Sequence, residues 1–144
     1  INEQMPEHVI KLTLDAFQEC NQSIKTSTIL ILGISYKPNV KDIQLTPAEI
    51  IIKKLEELGA NVRIYDPYFK ASDVFGIKSE KNLDDVFANV NAAIIVTGHD
   101  EFKQLELSKF NQMNNKILID TRGIIEPKSA KDANLVFRGL GRGQ

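Results

Sequence analysis

The chain has 144 residues, 42% hydrophobic and 26% charged, with a net charge of −1. That length suits one domain with a real core, and the near-neutral balance excludes the global basic field that gathers nucleic acid, so any anion must be held by local arrangement. The single cysteine, Cys20, excludes an internal disulfide and fits a reducing, cytoplasmic setting, and no apolar run reaches the length of a membrane span nor is a secretory signal read at the start.

In chain order, residues 6–24 read as a helix starting at Pro6, a residue suited to a first turn. Val9, Ile10, Leu12, Leu14, Ala16, Phe17 and Cys20 spread over more than one stripe of it. So wide an apolar surface wants several neighbours or a dimer seam. The first residue is Ile1 and the opening reads like the inside of a helix, so a longer polypeptide is expected. Residues 29–34 form an unbroken apolar run, which predicts a strand covered on both faces. After Gly33 comes a polar loop with Lys37, Lys41 and Asp42. Thr46, Pro47 and Glu49 then mark a helix start with a capping box. That helix runs from Pro47 to Leu58 and stops at Gly59.

A short strand follows over Asn61 to Tyr65, closed by Asp66-Pro67. Strand, helix and strand with short connections imply a right-handed parallel crossover. Gly76-Ile77-Lys78 suits a brief strand, and Asn82 can cap a helix over Leu83–Val90. Ala92 to Thr97 reads as a third strand, Asp100 to Leu105 as a short helix, and Lys116 to Asp120 as a fourth strand. Leu135 to Phe137 suits an edge strand. The tail from Arg138 is glycine-rich and basic, and is expected to be loose unless it caps a ligand. The sum is an α/β, Rossmann-like three-layer domain with a mostly parallel sheet, preceded by a helix.

In such a sheet ligands lie beyond the carboxyl ends of the strands. Tyr36 and Lys37 leave the first strand there; the lysine suits a phosphate or carboxylate and the ring a flat base or sugar. Thr97, His99 and Asp100 follow the third strand, and Asp120, Thr121 and Arg122 the fourth. Arg122 offers a fork of donors matched to an oxyanion. Asp66 ends the second strand and is read as a turn residue. A ribose-binding acid would be accompanied by a G-x-G-x-x-G fingerprint opening into a helix, and Gly33 stands alone. His99 lacks partners at ligand spacing, so no metal site is expected. Cys20 lies late in a helix, on an apolar stripe, and reads as structural rather than as a nucleophile.

The segment Leu32-Gly-Ile-Ser-Tyr-Lys-Pro-Asn-Val-Lys-Asp-Ile-Gln-Leu-Thr-Pro-Ala resembles the carboxy-terminal domain of the NAD-dependent nucleotide-sugar 6-dehydrogenases. These are the UDP-glucose, GDP-mannose and UDP-N-acetylmannosamine dehydrogenases. Met5-Pro6-Glu7-His8-Val9, Ile64-Tyr65-Asp66-Pro67-Tyr68, Thr97-Gly-His-Asp-Glu-Phe102 and Asp120-Thr-Arg-Gly123 extend the likeness along the chain. The Met-Pro-Glu start, the Tyr-Lys-Pro-Asn-Val loop and the Gly-Leu-Gly-Arg ending look most like the UDP-N-acetylmannosamine or UDP-N-acetylglucosamine branch.

The resemblance implies a two-step oxidation of a sugar C6 alcohol to a carboxylate with reduction of two NAD. It also implies an amino-terminal NAD-binding domain and a catalytic cysteine that both lie outside this sequence, so the chain alone is expected to be inactive. It makes residues 1–25 the end of the interdomain linker helix, where a homodimer would form, and residues 26–144 the UDP-sugar-binding domain. By motif, Tyr36, Lys37 and Arg122 would contact the substrate. Gln44 stands where the family carries an arginine that reaches toward NAD; it has no charge, so a weaker pyrophosphate contact is expected there. The competing reading is a non-catalytic nucleotide-binding or regulatory module on the same frame. A phosphoacceptor receiver is set aside for want of paired acids at the first strand's end.

Overall fold

The computed structural model describes residues 4–43 and 46–140. The main elements are α1 (Met5–Glu19), β1 (Thr28–Leu32), α2 (Ala48–Glu57), β2 (Asn61–Tyr65), β3 (Asp73–Val74), β4 (Ile77–Lys78), β5 (Ala92–Ile95), α3 (Asp100–Lys103), β6 (Ile117–Asp120), α4 (Pro127–Asp132) and β7 (Val136–Gly139). Two 3-10 turns, Leu83–Asp85 and Leu107–Gln112, fill the connections.

Five strands form one wholly parallel sheet in the order β2-β1-β5-β6-β7, and β3 pairs with β4 as a separate antiparallel hairpin. The register places Ile64, Ile31, Ile94 and Ile119 opposite one another, one from each of four adjacent strands. This row of β-branched residues faces α1 and α2 and packs with Val9, Phe17, Ile51 and Leu55. The alternate residues, Leu30, Ala93 and Leu118, point to the other face, against Phe87, Phe102, Phe110 and Ala130. The sheet is covered on both faces, as an all-parallel sheet requires. Each fully buried Ile, Leu or Phe contributes about 1.5–3 kcal/mol relative to exposure.

With the hairpin set aside, the strand order is the doubly wound 2-1-3-4-5 pattern, whose order reverses between β1 and β5. The chain leaves β1 toward the face of α2 and leaves β5 toward the face of α3.

Several boundaries differ from the sequence reading. α1 ends at Glu19 rather than at residue 24, because Asn21 turns left-handed (φ 52°) and the Gln22 N–H bonds back to the Phe17 carbonyl. β1 stops at Leu32, since Gly33 takes φ +91°. The helix expected over 83–90 is a single 3-10 turn. Arg63 Nη1 donates to the Val86 and Ala88 carbonyls, which a helix would need for its own N–H groups, and Asn89 sits at φ 64°.

The tail is ordered at its start. Arg138 and Gly139 belong to the edge strand β7, and Arg138 bonds to Asp15 and Glu19 of α1. α4 was not read from the sequence at all: its six residues carry one buried apolar side chain, Ala130, and so no periodicity. α1 places most of its apolar surface against α2, β6 and β7, leaving Leu14 exposed.

Candidate functional site

All five strands of the sheet run parallel, so their carboxyl ends share one rim. Gly33 opens the β1 exit. A Cβ built there would lie 2.5 Å from Thr97 Cβ and 2.9 Å from Thr97 N, so the β1 and β5 exits touch across a position that admits only glycine. Thr97 Oγ1 donates to the Ser35 carbonyl, closing the contact. Ser35 Oγ in turn donates to the Lys37 carbonyl at 2.8 Å. Beyond Ser35 the loop turns outward, and Tyr36, Lys37, Val40 and Ile43 are exposed.

Asp66 does make the expected turn, accepting the Tyr68 N–H on Oδ1 at 2.8 Å. The turn is the smaller part of its role. Fully buried, it accepts the Ile34 N–H on Oδ2 at 2.8 Å, and His99 Nε2 lies 3.0 Å from the same oxygen. His99, also fully buried, accepts the Asn39 N–H on Nδ1 at 2.8 Å, and Asn39 Oδ1 accepts the Asp100 N–H at 2.9 Å. The sequence reading missed this linkage. Its signal was the placement of an acid and a histidine at the ends of two strands, but only the strand order reveals that β1 lies between those strands.

The β6 exit is built on the buried Asp120 carboxylate. Oδ1 accepts the Arg122 and Gly123 N–H groups at 3.0 and 2.9 Å, and Oδ2 accepts the Ile125 N–H at 2.8 Å. Thr121 Oγ1 donates to the Ile95 carbonyl at 2.6 Å. Arg122 is thereby aimed across the β5 exit. Its Nε donates to the Val96 carbonyl at 2.8 Å, and Nη2 donates to the Tyr36 carbonyl at 3.1 Å. The guanidinium also lies over the Tyr36 ring, 5.3 Å from its centroid. The structure thus brings Tyr36 and Arg122 into contact, with Lys37 next in the chain. Two of the five guanidinium N–H donors are used in these bonds, leaving three for an oxyanion. Gln44 lies outside the described residues.

The remaining candidates fall elsewhere. Cys20 sits at the end of α1; burial, then the neighbouring Glu19 carboxylate, pushes its thiol pKa up, against the proximity of Arg138. That is the opposite of an activated nucleophile. Among the described residues no group of three or more His, Cys, Asp or Glu could hold a metal ion, and no helix is long and apolar enough to cross a membrane.

Residues 30–127 match the family model described as the UDP binding domain of the UDP-glucose/GDP-mannose dehydrogenase family. The chain belongs to that family. A UDP-N-acetyl-D-mannosamine dehydrogenase of Pyrococcus horikoshii is 31% identical over 99% of this chain. The UDP-glucose 6-dehydrogenase TuaD of Bacillus subtilis is 32% identical over 98% of it. Among solved structures, a P. horikoshii UDP-D-ManNAc dehydrogenase superposes with a TM-score of 0.87 at 31% identity, over 99% of this chain and 32% of that one. An NDP-N-acetyl-D-galactosaminuronic acid dehydrogenase of Methanosarcina mazei superposes with a TM-score of 0.88 at 28% identity, over 98% of this chain and 30% of its own. The chain spans about a third of the length of the curated relatives it matches.

This UDP-binding domain does not itself fit a nicotinamide dinucleotide in the Rossmann manner. Gly33 is packed on Thr97 instead of opening toward a pyrophosphate, and the Asp66 carboxylate that would take a ribose hydroxyl is spent on Ile34, Tyr68 and His99.

Proposed function

We propose that this chain is the nucleotide-sugar-binding wall of an NAD-dependent UDP-sugar 6-dehydrogenase, of the UDP-N-acetylmannosamine type. The whole enzyme oxidises the C6 alcohol to the carboxylate in two steps. The observation that carries the reading is the Arg122 guanidinium bridging the β6 exit to the backbone and ring of Tyr36. That bridge sets a fork of donors against an aromatic face on one rim, and Lys37, next in the chain, supplies a mobile ammonium. A diphosphate joined to a flat base and a sugar needs those three kinds of group. Arg122 takes diphosphate oxygens with its free N–H donors, Lys37 adds a point charge beside the sugar or diphosphate, and the Tyr36 ring lies against the base or sugar.

NAD and the catalytic nucleophile belong to a segment outside this chain, so these residues bind and orient the substrate and carry no chemical step. Residues 1–25 are the end of the interdomain linker, with α1 as its helix, residues 26–144 are the UDP-sugar domain, and a homodimer forms along α1, whose Leu14 is exposed. The protein works in the cytoplasm.

Titration of the chain with UDP, followed by amide signals, tests the site. The expected result is saturable shifts over residues 34–40 and 120–125, weakened in Lys37→Ala with the fold unchanged. Shifts confined to other surfaces, or none at saturating UDP, would sink the reading.

A further inference from the structure

The loop that carries Tyr36 and Lys37 is fixed at both ends by two side chains that belong to other strands. At its start the Ile34 N–H is held by Asp66, from the β2 exit; five residues later the Asn39 N–H is held by His99, from the β5 exit. His99 and Asp66 are themselves joined, Nε2 to Oδ2, at 3.0 Å. Because Nδ1 accepts a backbone N–H it must carry a lone pair, so the imidazole is neutral and its one proton sits on Nε2, pointed at Asp66. All the polar atoms of this buried pair are thus committed, and the two bonds to the Ile34 and Asn39 N–H groups can be formed only with the loop in this shape.

We infer that Asp66 and His99 are a positioning pair: they hold the β1-exit loop in the one conformation that sets Tyr36 under the Arg122 guanidinium and Lys37 beside it. The inference rests on the UDP-sugar reading of that rim and adds to it two residues that touch no ligand. Asn39 at φ 61° shows why an anchor is needed. The left-handed turn there is unfavourable by itself, and the bonds of its N–H to His99 and of its Oδ1 to the Asp100 N–H hold it. The rings of Tyr68 and Phe102 lie on His99, with centroids 5.2 and 5.6 Å away, and keep its plane from rotating out of line with both partners.

The test compares the full chain with three variants by amide hydrogen exchange and UDP titration. His99→Ala is expected to speed exchange across residues 35–40 while β1, β5 and β6 keep their protection. It should also weaken UDP binding by about tenfold, the effect of one lost orienting hydrogen bond. His99→Asn places an amide oxygen where Nδ1 stands and should restore much of both. His99→Gln places its amide near Nε2, keeps Asp66 company without reaching Asn39, and should not. Unchanged loop protection in a folded His99→Ala, or equal rescue by Gln and Asn, would overturn the inference. If His99→Ala does not fold, the Asn and Gln pair decides. If the unaltered chain binds no UDP, the proposed ligand is wrong, and the exchange comparison still decides whether the pair positions the loop.

Discussion

Arg122 spends two N–H donors on the Val96 and Tyr36 carbonyls, and the proposed site would draw on the other three. An ammonium in its place could satisfy one carbonyl but not span Val96 and Tyr36. Arg122→Lys is therefore expected to weaken UDP binding nearly as much as Arg122→Ala, with both variants losing under about 1 kcal/mol of stability in urea unfolding, because the bonds lie at a partly exposed rim. Gly33 should behave in the opposite way. A methyl group there meets the Thr97 side chain and backbone and is forced into φ +91°, so Gly33→Ala is expected to cost about 2–4 kcal/mol by the same measurement. Cys20 gives a third outcome at this scale. Its raised pKa leaves less thiolate at any given pH, so alkylation at mildly alkaline pH should run slower than for free cysteine.

At the level of elements, the central strands were legible because covered parallel strands are short, unbroken apolar runs, and β1, β5 and β6 are each such a run or close to one, while the edge strand β2 alternates polar Asn61 and Arg63 with apolar Val62 and Ile64. What ended them was less legible. Gly33 looked like a simple exit, and its contact with Thr97 depends on β5 being the neighbour of β1, which no local pattern encodes. Asp66 read as a turn for the same reason, since its partners Ile34 and His99 are 32 and 33 residues away. The region 83–90 misled because Val86, Phe87 and Val90 have helical spacing, while Arg63 takes the carbonyls that would have closed the helix. The join between α1 and β7 was invisible too. Arg138 reaches Asp15 and Glu19 more than a hundred residues back, and both carboxylates are over half exposed. An ion-pair cluster so placed contributes little, about 1 kcal/mol or less. Arg138→Ala should accordingly leave the fold intact and raise hydrogen exchange only in the last turn of α1, and added salt should shrink the difference.

For the molecule as a whole, the rim at the point where strand order reverses is where an α/β sheet offers a crevice. Here that crevice is shut. Gly33 against Thr97, with the hydroxyl of Thr97 bound to the Ser35 carbonyl, leaves no gap between the β1 and β5 exits for a phosphate to enter. Whatever rests on Tyr36, Lys37 and Arg122 must lie across a ledge, with solvent on its far side until another surface covers it. A ledge gives grip without enclosure, so a nucleotide on this chain alone should come and go rapidly, and its residence should lengthen only when a second wall arrives.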